Sequence, residues 1–240
     1  MSQTSWMQLH IQRWQDKAQL RYYYEQEIFK RINDIIRSGQ TNVEIGSGPG
    51  FLRNYVSNLI CTDIDDGPAI NCRADASQLP FKDASVDTFI GIDVLHHFDN
   101  PKGFFQSAAK SLKTGGKIIL VEPWAGAFGY LFYRFIHHED CQRLQTPFGP
   151  AFAEGKSAMD GNAMISRQCL IESETKLSKY GLQTDTKVYF GFLSYLLTGG
   201  FQSWAAPLFI IRSLIAIEHL MPQTLMKLFG VRMMVVLQKI

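Results

Sequence analysis

Thr41-Asn-Val-Glu-Ile-Gly-Ser-Gly-Pro-Gly-Phe51 decides how this chain is read. A short apolar-leaning run, Val43 to Ile45, enters a turn holding Gly46, Gly48 and Gly50. Glycine accepts positive φ and carries no Cβ, so such a turn bends tightly and lets a bulky ligand approach the backbone. The expectation is a nucleotide-type loop, followed by a helix beginning near Phe51-Leu52-Arg53 with its free N–H groups toward the ligand. A dinucleotide fingerprint puts its third glycine three places after the second, but here Phe51 stands there and the third glycine is Gly50.

Seventeen positions beyond Gly46, a second apolar run ends in a carboxylate, Asp63, within Leu59-Ile-Cys-Thr-Asp63-Ile-Asp. A carboxylate can accept both donors of a vicinal diol, and an acid roughly 20 residues on is where a Rossmann-like unit meets a ribose. Three further segments follow in order: Asn71 to Phe81, Ser85 to Phe98, and Leu112 to Pro123 with its Gly115-Gly116 turn into a fifth strand.

With Glu44 two places before Gly46, the loop reads E-x-G-x-G-x-G and resembles motif I of the class I S-adenosylmethionine-dependent methyltransferases; the later segments over residues 41–123 resemble that family in the same order. The resemblance implies an α/β fold: Rossmann-like, doubly wound, with a mostly parallel seven-stranded sheet, an antiparallel last strand and apolar cap insertions. It implies S-adenosylmethionine as cofactor, S-adenosylhomocysteine as product, and a cofactor site of Glu44, Gly46, Ser47, Gly48, Gly50, Asp63, Ile64, Asp75, Ala76 and Asp93. Asp63 takes the ribose role; Asp75 and the Ala76 N–H take the adenine role. Other readings stand beside these. Glu44 and Asp65 fit solvated loop acids, and Asp75 fits a cap on the turn after it. The family's helix between strands two and three has no counterpart in Asp66-Gly-Pro-Ala, which is too short and broken.

Composition bounds the rest. At 240 residues and 46% hydrophobic, one domain with a large core is expected, organised as N-terminal helices (1–38), a cofactor half (41–123) and cap insertions (124–164 and 191–230). A net charge of +2 without a basic stripe argues against nucleic acid. Cys61, Cys72, Cys141 and Cys169 form no C-x-x-C pair, and the first residues lack a signal-peptide pattern, so a reducing, cytoplasmic setting is expected.

From Trp6 to Arg37, apolar residues recur every three or four positions, predicting one or two amphipathic helices. Pro123 to Met164 is rich in aromatics. A helix over Ile165 to Tyr180, strand six over Leu182 to Phe190 and strand seven over Val231 to Lys239 leave an apolar excursion from Gly191 to Gly230. A lid over a greasy pocket is the first reading of that excursion; an interfacial membrane contact through 201–221 and a homodimer contact are the others. The extras sit where an acceptor should bind, pointing to a hydrophobic, aromatic or lipid-like small molecule.

Methyl transfer from a sulfonium needs orientation above all, with a proton acceptor only for some substrates. His138, His97 and His96 are the candidate bases, His97 equally a loop-holding residue. Glu122, Trp124 and Tyr133 are candidate acceptor contacts. His137-His138-Glu139-Asp140 lacks H-E-x-x-H spacing, so no metal centre is expected. A non-catalytic or membrane-associated protein of the same fold, and an NAD-dependent oxidoreductase, are the alternative functions.

Overall fold

The computed structural model describes residues 3–137, 139–150, 152 and 160–240. Its frame is a seven-stranded sheet built from β1 (Asn42–Ile45), β2 (Leu59–Asp63), β3 (Cys72–Arg73), β4 (Val86–Ile92), β5 (Leu112–Pro123), β6 (Leu182–Phe190) and β7 (Arg232–Lys239). The strand order is β3-β2-β1-β4-β5-β7-β6. β1 pairs in parallel with β2 and β4, and β4 with β5, whereas β7 runs antiparallel to both β5 and β6. Central parallel strands are covered on both faces and read as nearly continuous apolar runs; all of β1 and most of β4 are buried accordingly.

The helices are α1 (Gln3–Asp16), α2 (Ala18–Tyr23), α3 (Lys30–Asn33), α4 (Pro101–Ser111), α5 (Ala127–Phe135), α6 (Ala163–Arg167), α7 (Leu193–Leu196), α8 (Leu208–Leu220) and α9 (Gln223–Phe229). A π-helical stretch, Tyr24–Phe29, joins α2 to α3. α4 starts as its sequence dictates: the Asn100 side chain accepts the Gly103 N–H at 2.9 Å and Pro101 occupies the first turn.

Three local expectations change. The helix after the glycine loop is a single 3₁₀ turn, Phe51–Asn54, because Gly50 enters it at φ 74° and the chain must return to begin β2 at Leu59. Gly115 and Gly116 lie inside β5, in an irregularity that takes the pairing from Val86↔Leu112 directly to Thr88↔Lys117. The expected helix over Ile165 to Tyr180 is α6, a π-helical stretch and a 3₁₀ segment, Glu174–Tyr180.

In register, Ile45 stands beside Thr62 on one side and Gly91 on the other. The carboxyl ends of three strands therefore deliver the glycine loop, Asp63 and Asp93 to one edge, where ligands of open α/β sheets sit.

Candidate functional site

A cavity of about 1380 Å³ opens at that edge. Its loop end is walled by Glu44, Gly46, Ser47, Gly48, Asp63, Ile64, Asp75 and Ala76; its far end by Phe128, Phe132, Tyr133 and Tyr195. The side chains expected at the cofactor therefore converge on one space, with one exception. Gly50 faces away, where an added Cβ would lie 2.4 Å from the Ala69 Cβ.

The loop is held by its own hydrogen bonds. Asp63 Oδ2 accepts the Gly48 N–H at 2.8 Å and Oδ1 accepts the Asp65 N–H at 3.0 Å. Gly46, at φ 65°, has room for no side chain: a Cβ would stand 2.2 Å from Val94 Cγ2. Glu44 is buried beside Cys61, and burial pushes its carboxyl up to about 8. Asp75 does cap the turn after it, accepting the Ser77 N–H at 2.8 Å through one oxygen, while its side of the turn still lines the cavity.

Asp93 is already engaged. The buried Arg232 guanidinium donates to both its oxygens, at 2.5 and 2.9 Å, and the Tyr24 hydroxyl donates at 3.1 Å. Desolvation of Arg232 is outweighed by the Asp93 charge, which holds the guanidinium protonated.

The acceptor-side expectations divide. Tyr133 lines the cavity, its hydroxyl donating to the Val231 carbonyl at 2.8 Å. Trp124 is buried off the cavity, its indole N–H donating to the Lys227 carbonyl at 2.8 Å. Glu122 is fully buried and turned inward: it accepts the Val94 and Leu95 N–H groups at 3.0 and 2.8 Å, Ser166 Oγ–H at 2.9 Å and His96 Nδ1–H at 2.7 Å. His96 is thereby a braced residue. Its burial alone would lower its pKa, but the carboxylates of Glu122 and Glu139 raise it to about 10. Burial and the neighbouring His96 lower His97 to about 4. His138 lies outside the described residues.

Sequence spacing gave no sign of what faces these histidines. Glu139 Oε2 lies 3.4 Å from His96 Nε2, and Glu139 Oε1 lies 3.8 Å from His97 Nε2. Arg13 was also missed: it lines the cavity from α1, and its Nε is buried without a partner among the described residues. Neither signal is local, since each depends on elements brought together only by the fold.

α1 and the segment after α7 close the mouth. His10 stacks on Phe201 with ring centroids 4.1 Å apart, and Trp6 reaches over Gly48. The Lys17 ammonium donates to the Gly200 and Gln202 carbonyls at 2.5 and 3.0 Å. Within the excursion expected as a lid, residues 197–204 reach this cavity, and all but Thr198 line it.

Comparison with known proteins agrees with this architecture. The methyltransferase domain family profile matches residues 43–120. A protein of Methanocaldococcus jannaschii is 34% identical over 116 residues, covering 45% of this chain and 55% of its own. An uncharacterized methyltransferase of Mycobacterium tuberculosis is 30% identical over 108 residues, covering 38% and 42%. The chain thus spans about half the length of the curated relatives it matches. Among solved structures, a Thermotoga maritima SAM-dependent methyltransferase, described as a possible histamine N-methyltransferase, superposes with a TM-score of 0.58 at 17% identity, covering 96% of this chain and 95% of that one. Residues 43–120 of this chain thus match the methyltransferase domain family, and its seven-stranded sheet has the Rossmann-like fold of that solved methyltransferase.

Proposed function

We propose that the protein binds S-adenosylmethionine and transfers its methyl group to a small apolar or aromatic acceptor. The observation that carries this reading is the charge of the loop end. Asp63, Asp65 and Asp75 line it, with Glu44 beside them able to ionise against a cation, while the cavity's arginines are Arg13, on α1, and Arg232, which is paired to Asp93. A sulfonium and an ammonium group suit that wall. A dinucleotide pyrophosphate does not, and the single 3₁₀ turn after the loop lacks the helix N-terminus that would receive one.

In this reading Asp63 accepts the ribose hydroxyls with lone pairs left over from its two backbone bonds, and Gly46, Ser47 and Gly48 admit the ligand against the backbone. Asp75 and Ala76 border the adenine. Arg13 meets the amino-acid carboxylate. The volume exceeds the roughly 300–1,000 Å³ of a single-ligand site, leaving space for a second molecule against the aromatic end. Phe128, Phe132, Tyr133 and Tyr195 favour an apolar body there, and His97 and His137 are described histidines on the cavity wall able to meet its reacting end.

Closure by α1 and residues 197–204 excludes water, which would compete for the methyl group. The outer side of α8, with Phe209, Ile217 and Leu220 exposed, is the part suited to a membrane surface or a second copy of the chain. No helix among the described residues is long and apolar enough to cross a membrane.

The test is transfer of labelled methyl from S-adenosylmethionine to a graded acceptor panel. Turnover per KM should rise with apolar bulk. Methylation of short polar acceptors alone would contradict the acceptor class, and no transfer to any acceptor despite tight cofactor binding would favour a binding role.

A further inference from the structure

We infer that His96, His97 and Glu139 form a binding site for one divalent transition-metal ion at the acceptor end of the cavity. One ligand-type atom from each residue falls within 4.8 Å of the other two. The measured separations from Glu139 oxygens are 3.4 Å to His96 Nε2 and 3.8 Å to His97 Nε2. Neighbouring ligand atoms around a tetrahedral ion with bonds of about 2.0–2.1 Å stand about 3.3 Å apart, so small side-chain movements suffice to bring the three onto one centre.

The outer contacts have the form a metal site requires. A ligating imidazole characteristically donates its other ring N–H to a carboxylate or a backbone carbonyl, which fixes the tautomer and aims the free lone pair. Both histidines do this independently. His96 Nδ1 is 2.7 Å from the ionised Glu122, and His97 Nδ1 is 3.1 Å from the Asp160 carbonyl, so Nε2, the ring nitrogen facing Glu139 in both, is the ligating atom, and the ion displaces the proton that His96 Nε2 otherwise carries. The two supports come from different parts of the chain, β5 and the residues before α6.

Space and charge agree. Gly161 backs the cluster: a Cβ there would lie 2.9–3.0 Å from Glu139 Cδ, His96 Cδ2 and His97 Cε1. Two carboxylates, Glu139 and the supporting Glu122, balance a dication. His137 is not in the set, since its Nδ1 accepts the Glu139 N–H at 3.3 Å. Three protein ligands on a cavity wall leave a coordination position facing the interior. Imidazole with carboxylate suits Zn²⁺, Co²⁺, Fe²⁺ or Mn²⁺, and an ion there can hold an oxygen or nitrogen donor of a molecule in the cavity and lower its pKa.

The experiment uses tag-free, chelator-treated protein and needs no methyl transfer, so its failure is separable from failure of the proposed reaction. Zn²⁺ binding is measured calorimetrically, and Co²⁺ is followed by its d–d absorption. The expected result is one ion per chain. His97→Ala and Glu139→Gln should each weaken binding at least tenfold, while His219→Ala, a distant exposed histidine, leaves it unchanged. Thermal unfolding of each variant checks folding, and Glu122→Gln should lower affinity about 10–100-fold as a supporting residue does. No binding by the wild-type chain, or binding equally strong in both folded ligand variants, would overturn the assignment in favour of a purely protonic His–Glu network.

Discussion

Asp63 Oδ2 accepts the backbone N–H of Gly48 at 2.8 Å, so the acid that closes β2 and the loop that leaves β1 form one unit. Loop shape and the ribose contact proposed above consequently fall to the same carboxylate.

Asp63→Ala should weaken S-adenosylhomocysteine binding at least tenfold by calorimetry. Hydrogen bonds to a charged group contribute about 1.5–3 kcal/mol, and the change also frees the Gly48 N–H. Affinity equal to wild type would remove the ribose assignment.

Gly46→Ala should damage both stability and binding. A non-glycine residue at φ 65° is strained by about 1–2 kcal/mol, and the new methyl would stand 2.2 Å from Val94 Cγ2. The thermal midpoint should fall by several degrees and cofactor affinity with it. Gly39→Ala, whose Cβ would meet nothing, should show only the backbone strain.

Glu44 gives a pH signature. Its folded carboxyl is raised to about 8 from 4.5, so its contribution to stability is fully present below about 4.5 and is lost as pH rises toward and through 8. Subtracting the Glu44→Gln stability profile from wild type should leave a difference that declines across that window. A cationic ligand beside Glu44 favours its ionised form, so binding near pH 7 should release a proton, seen as buffer-dependent heat in wild type and reduced in Glu44→Gln.

Lys17→Met should loosen the closure, because it removes the donors to Gly200 and Gln202. Hydrogen exchange should quicken in residues 197–204 and S-adenosylhomocysteine should dissociate faster. Unchanged exchange there would detach α1 from lid control.

What the sequence showed and what it hid follow from range. β6 falls at the expected Leu182–Phe190 and β7 within one residue, because alternation and flanking glycines are local signals. That the glycine loop, Asp63 and Asp75 border one cavity was legible through their spacing. Glu122 and Trp124 were placed on the wrong side because a side chain near a strand end takes its direction from the sheet's packing. The pairing of Glu139 with His96 and His97 spans more than forty residues and arises where the segment before α6 folds back over the loop after β4. The shortened Phe51–Asn54 turn reflects the early start of β2, a constraint no helix signal in Phe51-Leu52-Arg53 contains.

The most direct test of the central claim is the thermal midpoint with saturating S-adenosylhomocysteine and, separately, NADH. Ligand at a hundred times its dissociation constant adds about 2.7 kcal/mol, or roughly 5–10 °C for a chain of this size. A rise of that order with S-adenosylhomocysteine and none with NADH is the predicted result. A rise with NADH alone, or with neither, would contradict a cavity built for S-adenosylmethionine.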